Sequence, residues 1–307
     1  MFNWIEASRL FHLTRTAKRL TPWWAILPLS AGMLLLAAIV GVLLFLVIGI
    51  VFEWSGSDAM SSVLLVGFEQ TLLLTLAFGG VIFLVWLWVQ FYEQRPFFTL
   101  GFERAGALLR YGRGLFVGLG MFASVVLLLA LTGSVSLTGN ILAQGLIVLV
   151  GVLVVFVGWI VQGAAEEILA RGWMMSVLGV RYTPALGIFL SALFFTVMHG
   201  LNPHLSALAL VNLFLYALFA SLYALREGSL WGICAFHSVW NWSQGNLFGF
   251  AVSGSETTGV TLLDLTTHGP DWLTGGAFGP EGGVAVTLVL VAGIAVILSN
   301  HAKVFSA

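Results

Sequence analysis

The sequence predicts an all-α integral membrane protein with about eight transmembrane helices, and three observations carry that prediction. The chain of 307 residues is 60% hydrophobic and 8% charged, with a mean hydropathy of +1.04; soluble domains carry about 25% charged residues. Its apolar residues gather into runs close to the ~20 residues that a helix needs to cross a bilayer. Its 12 Lys and Arg fall between alternate runs, the pattern that orients a membrane protein.

Residues 1–24 form a basic N-terminal segment with Arg9, Arg15, Lys18 and Arg19, followed by Trp23 and Trp24. It reads as a partly amphipathic lead-in on the inner membrane face, with the Trp pair in the headgroup belt. A plain cytosolic tail with an anchoring end is the alternative. Residues 25–139 hold the N-terminal transmembrane helices and 140–250 a helical core. Residues 251–283 make an extracytoplasmic loop, and 284–307 the last helix and tail.

The spans are expected at 25–52, 63–91, 114–132, 141–165 (with a helical extension to about 178), 184–200, 205–225, 229–250 and 284–300. The first run is far longer than a 7–15-residue signal core, so it is expected to remain as a membrane helix. With the N-terminus inside, Arg95, Arg104, Arg110 and Arg113, then Arg171 and Arg181, then Arg226, and finally Lys303 join the four N-terminal cations on the inner side. Both termini are then cytoplasmic, in an inner or plasma membrane, and the outer loops carry no Lys or Arg.

Between the spans, 92–113 is basic and aromatic. It suits either a re-entrant or surface helix near a cavity mouth, or an interface-lying linker. The loop 251–283 is rich in Gly, Ser and Thr and carries Glu256, Asp264, Asp271 and Glu281; it is expected to be a solvated connector rather than a lid or partner surface. His268 within it reads as incidental. The single cysteine, Cys234, leaves no internal disulfide and no cysteine pair for a metal, and reads as a small packing residue.

Three polar stations interrupt the apolar core. The first is GAAEEILARGW, residues 163–173, with Glu166, Glu167 and Arg171. A charge at the centre of a bilayer helix costs about 2.5–3.5 kcal/mol on insertion scales, so charges there mark function by default. Glu167 and Arg171 are four apart, in the favourable order for pairing on one helix face. Glu166 is turned about 100° away and is left without that partner, as suits a general base or acid. The bland reading is an interfacial charge cluster that ends a long helix.

The second station, FTVMH, carries Phe195 and His199 on one face. Glu166 and His199 lie equally far from the turn at 182–183, so an antiparallel hairpin would set them at one depth, facing each other. The third, HSVWN, carries His237 and Asn241 on one face. Alone, either station would more often be a hydrogen-bonded packing feature. Glu69, Gln70, Gln162 and Asn212 read as helix–helix hydrogen-bonding groups, and Gly118, Gly120, Gly145 and Gly151 as close-packing positions.

A carboxylate, two imidazoles and a carboxamide suit amide hydrolysis by activated water. Glu166 would take the proton, His199 would position the water or relay a proton, and Asn241 with His237 would donate to the oxyanion. No serine or cysteine has a persuasive base beside it. A metal version is open as well: Glu166, His199 and His237 could hold a divalent ion such as zinc, although no HExxH occurs. No cofactor is assigned. The expected partners are a membrane-associated peptide or protein substrate and the lipid bilayer, with no nucleic acid. The rival classes are a non-catalytic membrane protein of the same fold, in immunity or partner binding, and, ranked third, an ion-coupled transporter, for which repeats and broken helices are lacking.

EEILAR, FTVMH and HSVWN resemble the EExxxR, FxxxH and HxxxN motifs of the CPBP intramembrane endopeptidases, the group that includes type II CAAX prenyl proteases and bacteriocin-processing proteins. The resemblance covers about residues 140–250. It implies an eight-helix membrane fold around a polar cavity open to the cytosol, and peptide-bond hydrolysis. It also implies Glu166 as base, His199 as its partner, and His237 with Asn241 as oxyanion site. Ala170 departs from the pattern, since many relatives carry an aromatic before the Arg; the change reshapes the pocket and removes no catalytic group.

Overall fold

The computed structural model describes residues 3–51, 59–140, 145, 147–256 and 260–299. The expected span limits at 52, 141–144 and 300, and the tail with Lys303, lie outside the described residues. The helices are α1 (Asn3–Glu6), α2 (Arg9–Thr14), α3 (Trp23–Val51), α4 (Ala59–Leu87), α5 (Ala107–Leu131), α6 (Ile147–Glu167), α7 (Ser176–Arg181), α8 (Pro184–Met198), α9 (Ala207–Glu227), α10 (Trp231–Trp242), α11 (Asp271–Thr274) and α12 (Val284–Leu298). Three of them run on in wider π-type turns: α4 through Trp88–Glu93, α6 through Ile168–Met175 into α7, and α10 through Ser243–Leu247.

Among the described residues, five helical runs are long and apolar enough to cross a membrane: Trp23–Val51, Val63–Glu93, Ala107–Leu131, Ile147–Arg181 and Ala207–Glu227. The helices at the other expected spans are shorter, with α8 and α12 at 15 residues each and α10 at 12. The run Ile147–Arg181 has 35 residues and so extends about 52 Å. That exceeds the ~30 Å hydrocarbon core, and the excess is buried in protein: residues 167–179 are covered throughout.

Local signals set the turns. Thr183 Oγ1 accepts from Leu186 N, and Pro184 starts α8. Ser206 caps α9 in the same way, and Gly228 closes it at φ 65°, where a side chain would strain. α4 packs along both α3 and α6, α10 lies between α5 and α6, and α9 contacts α8 and α12.

The bundle has a basic end and a far end. At the basic end Glu93 and Arg95 pair at 2.8 Å, both fully buried. Thr21 and Trp173 also donate to Glu93. α1 and α2 close this end, with Leu10, Phe11 and Leu13 buried in the core. The N-terminal segment thus packs apolar side chains into the protein, while Trp23 and Trp24 stay exposed. Within 92–113, Arg95 and Thr99 are buried, a 3-10 turn covers Phe97–Leu100, and α5 begins at Ala107 with Leu108 and Leu109 exposed.

At the far end, β1 (Val135–Asn140) pairs antiparallel with β2 (Leu263–Thr267). The fold is otherwise all-α, as expected; these two stretches lie outside the spans and satisfy their backbone groups by pairing with each other. The loop 251–283 is likewise not a solvated connector: it forms β2, α11 and two 3-10 turns, and buries Val252, Val260 and Phe278.

Candidate active site

α6 and α10 approach closely because Gly163 lacks a side chain. A Cβ there would stand 2.8 Å from both the backbone N and Oγ of Ser238. This contact brings the Glu166–Glu167 pair of α6 up to His237 of α10.

Glu167 and Arg171 are fully buried and paired at 3.0 Å, as their spacing expects. Arg171 also donates to the carbonyl of Ala217 at 3.2 Å and lies over the Phe195 ring at 4.6 Å. His237 Nδ1 stands 2.9 Å from Glu167 Oε1. A carboxylate only accepts, so Nδ1 carries the hydrogen and Nε2 is directed elsewhere. It stands 3.8 Å from Glu166 Oε2, a separation one water can bridge.

Glu166 is mostly covered, with 14% of its side chain exposed. Oε1 accepts from Gln162 Nε2 at 2.7 Å, while Oε2 is buried without a hydrogen-bond partner. Gln162 Oε1 in turn accepts from Asn241 Nδ2 at 2.9 Å. The three groups form one chain, Asn241 to Gln162 to Glu166, whose direction is set at the carboxylate end. Since Glu166 only accepts, Gln162 must present its amide nitrogen there and its oxygen to Asn241. Asn241 then keeps a second N–H for a ligand. Glu166 thus has a local partner, Gln162, four residues earlier on the same helix.

His199 ends α8. Its Nδ1 donates to the carbonyl of Phe195 at 2.8 Å, and its ring lies 4.6 Å from the Phe195 ring. It lines the same cavity as Glu166, His237 and Asn241, with Nε2 unengaged by that bond. The expected face-to-face contact of His199 with Glu166 is not among the described hydrogen bonds or ion pairs. Among the described residues no three His, Cys, Asp or Glu side chains form a metal-holding cluster. The set Glu166, His199 and His237, as placed, does not fit a metal ion.

The shared cavity holds about 840 Å³. Leu34, Ala38, Leu73 and Phe78 from α3 and α4 form an apolar wall. Tyr216 of α9 lines it opposite, its ring 5.1 Å from that of His237 and its hydroxyl buried without a hydrogen-bond partner. The far end contributes Asn202, Ser253, Ser255, Glu256 and Glu281. Glu281 is held there by Trp240 Nε1 at 3.2 Å and by the backbone N and Oγ of Ser253, each at 2.8 Å.

Sequence reasoning missed three residues. Gln162 was assigned to helix packing, although its position four before Glu166 was a signal. Tyr216 carried no motif, and Glu281 was assigned to a connector. Far-end loops contribute polar groups to the cavity lining, and Leu169 and Ala170 line it nearer the buried Trp173, Glu93 and Arg95.

Residues 147–243, about a third of the chain, match the family model described as type II CAAX prenyl endopeptidase Rce1-like. All three motifs fall within the match, which supports the CAAX-protease-like family for this segment. No curated protein and no solved structure matches the chain.

Proposed function

We propose that this chain, which carries the Rce1-like, CAAX-protease-like domain over residues 147–243, is an intramembrane endopeptidase that hydrolyses a peptide bond of a membrane-associated or lipidated peptide. The observation that carries this reading is the pair formed by Glu166 Oε2, buried and without a hydrogen-bond partner, and His237 Nε2, 3.8 Å away, at the wall of a large cavity.

In this mechanism a water between the two groups gives a proton to Glu166 while its oxygen attacks the scissile carbonyl carbon. The carbonyl π electrons move to oxygen. The second N–H of Asn241, with the His237 ring beside it, donates to that oxyanion. Removing one such donor typically lowers a rate by about 100–1,000-fold. As the oxyanion collapses, the C–N bond breaks and the leaving amine takes the proton from Glu166. His199 Nε2 acts from the cavity wall as a proton relay or water-positioning group. Glu167 is a positioning residue: it fixes the His237 ring and is itself neutralised by Arg171, which Phe195 covers.

The proposed setting is a multi-pass chain of eight spans in an inner or plasma membrane with both termini cytoplasmic. No metal enters these steps. The test is a peptide panel incubated with purified wild type and with Glu166→Ala, in water enriched in oxygen-18. The expected result is fragments from the wild type alone, each with one heavy oxygen in the new carboxylate. Identical fragment yields from both proteins would overturn the proposal.

A further inference from the structure

We propose that a groove between α3 and the end of α4, at the basic end of the bundle, binds an anionic glycerophospholipid. An acyl chain lies in the groove, and the headgroup phosphate sits at Lys18 and Arg19. The groove shares no lining residue with the cavity that holds Glu166. The inference goes beyond the peptidase reading and does not rest on it.

The first argument is shape. The groove holds about 570 Å³. Pro28, Gly32 and Leu36, four apart on α3, form one wall, and Leu84, Trp88 and Tyr92 form the other. From Pro28 to Leu36 it follows the helix for about 12 Å. Gly32 keeps the groove open, since a Cβ added there would meet nothing within 4 Å. The second wall is fixed at its polar end. The Trp88 and Tyr92 rings stack at 4.3 Å, and Trp88 Nε1 donates to Thr21 Oγ1 at 2.8 Å. An apolar slot along a helix long enough to cross a membrane takes a hydrocarbon chain.

The second argument is the charge at one end of the slot. The backbone N–H groups of Lys18 and Arg19 donate to the carbonyl of Glu93 at 3.1 and 3.3 Å, which holds both residues beside Tyr92. The Arg19 guanidinium stands 5.8 Å from the centre of the Tyr92 ring. Arg15, Lys18 and Arg19 are exposed, and among the described residues no carboxylate pairs with any of them. The carboxylate of Glu93 is taken up by Arg95, Thr21 and Trp173.

The third argument is depth. Trp23 and Trp24 are exposed and lie in the chain between these cations and Pro28. Exposed tryptophans at the end of a membrane helix mark the headgroup level, so the cations stand at the headgroups and the slot lies in the hydrocarbon. Basic residues in that position attract anionic headgroups, and a guanidinium can hold a phosphate through two parallel N–H bonds. A single chain or a few charges each bind weakly, and the two together hold.

The test uses the full chain purified in an uncharged detergent. Its unfolding temperature is followed while phosphatidylglycerol, phosphatidylcholine, inorganic phosphate or farnesol is added. Expected is a saturable rise with phosphatidylglycerol, a midpoint at least about tenfold higher for phosphatidylcholine, and no rise with phosphate or farnesol. Lys18→Gln and Arg19→Gln should each weaken the phosphatidylglycerol midpoint by about 5-fold, and the double variant by about 30-fold, the usual worth of one and two cations at an anionic surface. Gly32→Leu should abolish the rise by filling the slot. Without lipid it should unfold no lower than the wild type, because leucine has room there and is the better helix former. That combination separates a blocked site from a damaged fold. Equal midpoints for the two lipids, no rise with either, or a wild-type response from Gly32→Leu overturns the proposal. A rise with phosphate alone, which needs no chain, overturns it too. A rise with farnesol alone overturns it and gives the groove to an isoprenoid chain.

Discussion

Replacing Gln162 by leucine tests the chain of hydrogen bonds that orients the site. The substitution keeps the side-chain size and removes two bonds, 2.7 Å to Glu166 Oε1 and 2.9 Å from Asn241 Nδ2. A bond to a charged group is worth about 1.5–3 kcal/mol and a neutral one about 0.5–1.5 kcal/mol. Part of this is regained by rearrangement, so about 2–3 kcal/mol of positioning is lost in the transition state, equivalent to roughly a 30–150-fold fall in kcat at 1.36 kcal/mol per decade. KM should change by less than about threefold, because an interaction made only in the transition state leaves ground-state binding intact. The assay is steady-state cleavage of a quenched fluorescent peptide in detergent micelles, with thermal unfolding followed in parallel. Gln162→Asn should recover part of the rate. A normally folded Gln162→Leu enzyme with wild-type kcat would refute the relay.

Other perturbations separate stability from chemistry. Arg171→Met leaves the fully buried Glu167 charge unpaired and should lower stability by about 3–5 kcal/mol; the double variant with Glu167→Leu should recover much of that stability but not activity, since His237 loses its orienting carboxylate. Gly163→Ala forces a methyl to within 2.8 Å of Ser238, and such overpacking typically costs about 1–3 kcal/mol, visible as a lower unfolding temperature together with a lower kcat. At the basic end, the hydrogen bond from Arg9 holds the Glu103 carboxyl below its usual pKa range. That contribution is present above the normal carboxylate pKa and lost as pH falls through the lowered value. With Arg9 more than half exposed, Glu103→Gln should cost less than about 1 kcal/mol at neutral pH, and the difference from wild type should vanish in acid.

Much of the site could be read from spacing within single helices. Glu167 with Arg171, and His237 with Asn241, follow from the four-residue period, and the expected spans at 63–91, 205–225 and 284–300 coincide with helices. What escaped depends on contacts between distant segments. Gln162 sits on the helix of Glu166, but its second partner is on α10. Glu281 lies in a stretch as polar as a disordered loop, and only its bonds to Trp240 and Ser253 draw it into the cavity. Arg95 has the composition of an interfacial cation, yet a carboxylate two residues away lets it be buried. The wide turns after Glu167 and Asn241 break the 3.6-residue period and are common at functional sites.

The most direct measurement is the single-turnover rate of Glu166→Gln against wild type on one cleaved peptide, both proteins showing the same unfolding temperature. General-base catalysis typically contributes about 100–10,000-fold, so the variant should be slower by at least the lower figure, with peptide affinity retained. A Glu166→Gln protein that cleaves at the wild-type rate would show that this carboxylate does not activate water.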